Sequence, residues 1–203
     1  MQTRPSRKKR VEIVYPVPMS TSRVEMAFDP SLIGFALAPY KPHCRYLVKG
    51  AAGYEAGSTP IFSAQGEFSI PESCYIANTG HFNAVEFNIC YNQMAYCSLA
   101  HAIQNHWLAS FCGWTLDEFC RRQLSACMIV ELSSRFRRPM SARQFTGRFA
   151  LDRVSLRQGV LFMKTRCDFS DTSGVASVGE ILFAVNMGNR STSNIGETDR
   201  LKR

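Results

Sequence analysis

Residues 83–104 read NAVEFNICYNQMAYCSLAHAIQ, and this stretch decides the fold. It opens with Asn83-Ala84-Val85-Glu86, which has the form of a capping box. The Asn side chain accepts from orphan N–H groups of the first turn, and the Glu reaches back to the cap. The pattern predicts a helix from there to about Gln104. Val85, Phe87, Ile89, Cys90, Met94, Ala95, Cys97, Leu99 and Ala102 do not keep to one stripe. A helix apolar nearly all round is buried rather than laid on a surface. It does not read as a membrane span, because Glu86, Asn88, Asn92 and Gln93 interrupt it. No run in the chain reaches the ~18 apolar residues that a span requires.

Outward from this helix the period changes to two. Phe62, Ala64, Gly66, Phe68 and Ile70 alternate with Ser63, Gln65, Glu67 and Ser69 until Pro71, which indicates a half-buried strand. Arg45 to Tyr54 predicts a strand before it, and Pro30 to Tyr40 a helix or loop leading in. On the other side, Thr115-Leu116-Asp117-Glu118 is a second helix start, carrying Phe119, Leu124 and Met128. Strands follow at Ile129 to Phe136, around Phe145 to Leu151, at Met163 to Phe169, and from Val175 to Val185 after the turn Asp171-Thr172-Ser173-Gly174. Strands in series favour an antiparallel sheet, so the class is α+β. A sheet curled round one buried helix buries both, and its uncovered parts call for a homodimer or higher oligomer. The expected organisation is a basic extension over 1–24, one domain over 25–187 and a polar tail over 188–203.

Composition narrows the function classes. The 203 residues carry a formal charge of +8. Residues 1–10 hold five cations, and the last sixteen residues hold four cations against two acids, so the body is close to neutral. That distribution argues against a nucleic-acid partner. The eight cysteines form no C-x-x-C pair, and several lie in apolar runs where Cys acts as a small hydrophobe. With no secretory signal before them, they read as reduced thiols in a cytoplasmic protein. The four histidines show no ligand spacing with them, so no metal and no cofactor are expected. G-x-S-x-G, P-loop, G-x-G-x-x-G and H-E-x-x-H are all missing.

The candidate chemistry lies in polar residues at and on the central helix. Asn88, Asn92 and Tyr96 recur every four residues and share a face. They pair with each other or they line a site. His81, two residues before the cap, is placed to carry a proton near neutral pH or to fill a turn. The helix N-terminus polarises a carbonyl oxygen. Asn83 and Glu86 are explained by capping and stand beside these as substrate-binding candidates. Arg135 and Arg137 alternate on one strand, where they hold a substrate carboxylate or a pantetheine phosphate, or are solvated.

Gly80-His81-Phe82 followed by Asn92-Gln93-Met94-Ala95 resembles the G-H-F-P … E-A-M-A pattern of hot-dog β-hydroxyacyl carrier-protein dehydratases. Asn83 stands for the Pro and Asn92 for the catalytic Glu, which speaks against simple dehydration. A more extensive resemblance covers most of residues 35–187. It runs through Leu37-Ala38-Pro39-Tyr40, Cys44-Arg45-Tyr46-Leu47, Glu72-Ser73-x-Tyr75, Thr79 to Glu86, Asn92-Gln93-x-Ala95-Tyr96 and Ser133-Ser134-Arg135-Phe136-Arg137. These segments are similar to the FcoT-like family. The resemblance implies a hot-dog fold and a site without a catalytic carboxylate, its tyrosine pair and helix asparagine falling on Tyr40, Tyr75 and Asn92. The implied activity is addition of glycine to C3 of a (2E)-enoyl thioester on an acyl carrier protein, with hydrolysis of the thioester, as in isonitrile lipopeptide biosynthesis. The family is described also as long-chain acyl-CoA thioesterases. The implied partners are a carrier-protein or coenzyme A thioester and glycine. The rival outside enzymology is a non-catalytic acyl-binding protein.

Overall fold

The computed structural model describes residues 24–77 and 80–188. The expected extension and tail therefore lie outside the described residues, apart from Val24 and Gly188. The chain runs β1 (Val24–Ala27), α1 (Pro30–Ala36), β2 (Leu47–Tyr54), β3 (Phe62–Phe68), α2 (Ala84–Gln104), α3 (Leu116–Ala126), β4 (Cys127–Phe136), β5 (Phe145–Arg157), β6 (Val160–Asp171) and β7 (Gly174–Asn186). All seven strands form one antiparallel sheet in the order β1-β2-β3-β5-β6-β7-β4. A sheet of this order wrapped round one long helix is the hot-dog fold that the sequence predicts.

Strand β1 corrects the sequence reading, which placed no strand before Arg45. Its four residues are all exposed, so no inside–outside alternation marks it. It is strand by pairing alone, with Val24 opposite Tyr54 and Ala27 opposite Ala51.

Local chemistry sets the other boundaries. Asp29 caps α1 through the Ser31 N–H at 2.7 Å, and Pro30 supplies a first-turn residue that needs no donor. The β5–β6 hairpin turns through Gln158 and Gly159, both at positive φ (50° and 77°), the twist a two-residue antiparallel turn requires. Fifteen of the 21 residues of α2 are buried, as its all-round apolar pattern demands. Phe62, Phe68, Phe145, Phe149, Phe169 and Phe183 of the sheet are each at most 2% exposed and close over it. Two strand glycines permit that approach. A Cβ at Gly179 would come within 2.6 Å of the Phe87 ring, and one at Gly66 within 2.8 Å of Met94 Cε. The sheet stands this close to the helix because both positions lack a side chain.

Candidate active site

The start of α2 is built as its sequence dictates. Asn83 Oδ1 accepts the N–H of Val85 at 2.9 Å and of Glu86 at 3.3 Å, and a Glu86 carboxylate oxygen accepts the Asn83 N–H at 3.3 Å. Glu86 is buried in doing so. Asn83 has a second role. Its Nδ2 donates to the Tyr75 hydroxyl at 3.0 Å. The phenol oxygen is the acceptor in that bond, which leaves its own proton for another acceptor. Tyr75 is 46% exposed, so its hydroxyl can be reached by a substrate.

Glu86 of the same cap also lines a cavity of about 220 Å³, with Ser73, Gly80, His81, Ser141 and Arg143 in its wall. His81 is exposed at its edge. The loop after β4 is fastened here by two backbone bonds of 2.9 Å, Phe82 N–H to Met140 C=O and Ile70 N–H to Ala142 C=O. Arg138 anchors the same loop by pairing with Asp171 at the β6–β7 turn. Arg143 was not among the residues singled out from sequence, and Ser73 entered only within the motif Glu72-Ser73-x-Tyr75. Arg143 carries no periodic or spacing signal, and only the fastened loop brings it to the cavity that His81 lines.

A second group lies further along the helix. Asn92 is nine residues past Asn83, about 14 Å along the axis at ~1.5 Å per residue. Asn92 is half-buried, and its Nδ2 donates to Asn88 Oδ1 at a long 3.4 Å. Asn88 is exposed, so burial does not force it to find a partner. Tyr96, a turn further on, is buried. Burial holds its phenol protonated, raising the pKa to about 12. Burial does the same to Tyr40, with the neighbouring Tyr96 adding to the effect. Both phenols are therefore neutral hydrogen-bond donors at pH 7 and not bases.

Gln93, adjacent to Asn92, does different work. It is fully buried. Its Oε1 accepts from the N–H groups of Tyr46 (2.8 Å) and Leu47 (3.0 Å), and its Nε2 donates to Cys44 C=O at 2.6 Å. Arg45 in turn donates to the carbonyls of Tyr40 and Ala38. The segment carrying Tyr40 is thus pinned to the helix through one amide.

Arg135 and Arg137 share a face, as their alternation predicts, and line a groove of about 880 Å³ with Arg153, Arg157, Lys164 and Arg166. Phe136 between them turns the other way, against Phe82 and Phe87 at the head of α2. The two arginines therefore occupy the opposite face of β4 from Phe136. The protomer brings together Tyr75, His81, Asn83 and Glu86, and sets Asn88, Asn92, Tyr96 and Tyr40 in a second group.

The family model for the FcoT-like thioesterase domain matches residues 36–185. The chain belongs to the FcoT-like family. Two similar proteins bear the name (2E)-enoyl-ACP glycyltransferase. The one from Streptomyces coeruleorubidus is 43% identical over 64% of this chain and 76% of its own. The one from Mycobacterium bovis is 40% identical over 77% of this chain and 86% of its own. Among solved structures, the dehydratase domain of RzxB from Pseudomonas fluorescens is 10% identical, with a TM-score of 0.49 over 79% of this chain and 49% of that one.

Proposed function

We propose that this FcoT-like protein adds glycine to a (2E)-enoyl thioester on an acyl carrier protein and then hydrolyses the thioester. The observation that carries the reading is the Asn83–Tyr75 contact at the head of the buried helix, two residues after His81 in the chain. The cap occupies the N–H groups of Val85 and Glu86, so they do not serve as oxyanion donors. The Tyr75 hydroxyl, polarised by Asn83 Nδ2, is a side-chain donor for the thioester oxygen, and the positive end of α2 assists it.

The chemistry balances as follows. Glycine's ammonium gives a proton to His81, and the freed amine attacks C3. The C2=C3 electron pair moves toward the thioester carbonyl, where Tyr75 stabilises the enolate, and C2 takes the proton back. Water then adds to the carbonyl, releasing the carrier thiol and a β-(carboxymethylamino) fatty acid. Asn92 positions that water, and the neutral phenols of Tyr40 and Tyr96 orient the acyl group. Arg135 and Arg137, on the outer face of the sheet, suit the carrier's phosphate or acidic surface.

Val85, Asn88, Ile89 and Asn92 form one strip of α2 that the protomer leaves exposed or only half-covered. A second protomer laid along that strip would set its own Tyr75 against Asn92, making the working unit a homodimer. Mixed dimers of Tyr75→Phe and Asn92→Ala chains test this, because only shared sites regain activity on mixing. For the reaction itself, the assay is incubation with a (2E)-enoyl carrier protein and glycine, followed by mass spectrometry. A glycine adduct is expected. Hydrolysis of saturated and unsaturated thioesters alike, indifferent to glycine, would instead make the protein a plain thioesterase.

A further inference from the structure

The cavity beside His81 holds a cation that neither the cap nor the helix uses. Arg143 lines it, exposed, with no carboxylate paired to its guanidinium among the described residues. Its backbone is held by the Ser141 hydroxyl at 3.3 Å and by the loop bonds of Met140 and Ala142. Ser73 is in the same wall, but its hydroxyl is buried away from the opening, so the guanidinium is the group that a ligand there meets. Glu86 is in the wall too, but it is 1% exposed and its carboxylate already accepts the Asn83 N–H. An exposed guanidinium at a cavity of about 220 Å³ that His81 also lines suits the carboxylate of a small amino acid better than an acyl chain.

We propose that this cavity is the amino-acid subsite, in which Arg143 holds the glycine carboxylate and turns its amine toward His81. The assignment rests on the glycine-addition reading above and names the residue that selects the co-substrate. A guanidinium–carboxylate pair fixes orientation as well as affinity, which a nucleophile of two carbons otherwise lacks.

The test uses the full chain, a medium-chain (2E)-enoyl carrier protein, and glycine or glycinamide as the amine. Wild type is expected to prefer glycine over glycinamide by about ten- to a hundredfold in kcat/KM, the value of one charge-assisted contact. Arg143→Gln is expected to raise the KM for glycine by a similar factor relative to that for the enoyl thioester, and to treat the two amines alike. Arg143→Lys should recover part of the preference. A wild type that uses glycinamide as well as glycine overturns the proposal even if no Arg143 variant folds. So does an Arg143→Gln enzyme that keeps its glycine KM, or one whose loss falls on the carrier substrate. Absence of any glycine adduct from wild type would instead sink the glycine-addition reading itself.

Discussion

Two neighbouring amides on one helix, Asn92 and Gln93, are predicted to answer to different assays. Gln93→Leu keeps the side-chain volume roughly constant but removes three hydrogen bonds, to the N–H groups of Tyr46 and Leu47 and to the carbonyl of Cys44. Those three backbone groups then lie against a residue with no polar atoms, in a place where Gln93, Tyr46 and Leu47 are each at most 4% exposed. Each unsatisfied group costs about 1–3 kcal/mol, and partial relaxation of the β2 end recovers some of it. The expected loss is about 3–5 kcal/mol, a large fraction of the 5–15 kcal/mol typical of a domain. Asn92→Ala loses one long, half-exposed contact, worth at most about 0.5 kcal/mol, and alanine favours the helix. Urea denaturation of both variants, read beside thioester turnover, checks the contrast. Gln93→Leu should lower the midpoint steeply. Asn92→Ala should melt like wild type and turn over slowly. Equal midpoints for the two variants would refute the reasoning, because they would mean that the chain segment 44–47 finds its partners without the helix amide.

Other outcomes follow from the same geometry. Asn83→Ser keeps a capping oxygen but cannot reach Tyr75, so it should slow turnover about as much as Tyr75→Phe with stability nearly unchanged. Asn83→Ala should show the same slowing plus about 1 kcal/mol of lost stability from the missing cap, read by thermal melting of the three variants together. His101 is buried between Phe28 and Trp107 with its Nε2 unpaired, and burial lowers its pKa below 6.5. The unfolded chain therefore binds a proton that the folded chain refuses. Stability should be full above pH 6.5 and fall as the pH drops toward the folded value, and His101→Phe should flatten that part of the melting-temperature profile. Gly179→Ala forces a methyl to 2.6 Å from the Phe87 ring, and about 1–3 kcal/mol of destabilisation is expected by denaturant melt.

Much of the fold could be read from residue order, and the reasons are local. Asn83 with Glu86 announces a helix start by its own hydrogen bonds, and α2 begins at Ala84 as that box requires. The alternation from Phe62 to Ile70 is legible because one face is wet and the other dry. β1 was illegible for the opposite reason, since all its residues are exposed and nothing but pairing with β2 makes it a strand.

The sequence by itself determined the central helix, the two-periodic strands around it, and the roll of Tyr40, Tyr75, His81, Asn83 and Asn92 as polar residues placed near an apolar core. Period, capping and family motif are properties of neighbours along the chain, so they survive without coordinates. Only the tertiary structure decided that Asn83 holds Tyr75, that Gln93 braces residues 44–47, and that Arg135 and Arg137 occupy the opposite face of β4 from Phe136. It alone brought Arg143 and Ser73 to the cavity of His81. Each of these depends on which way a side chain points across a sheet or loop closure, and that is set by packing between segments far apart in the chain.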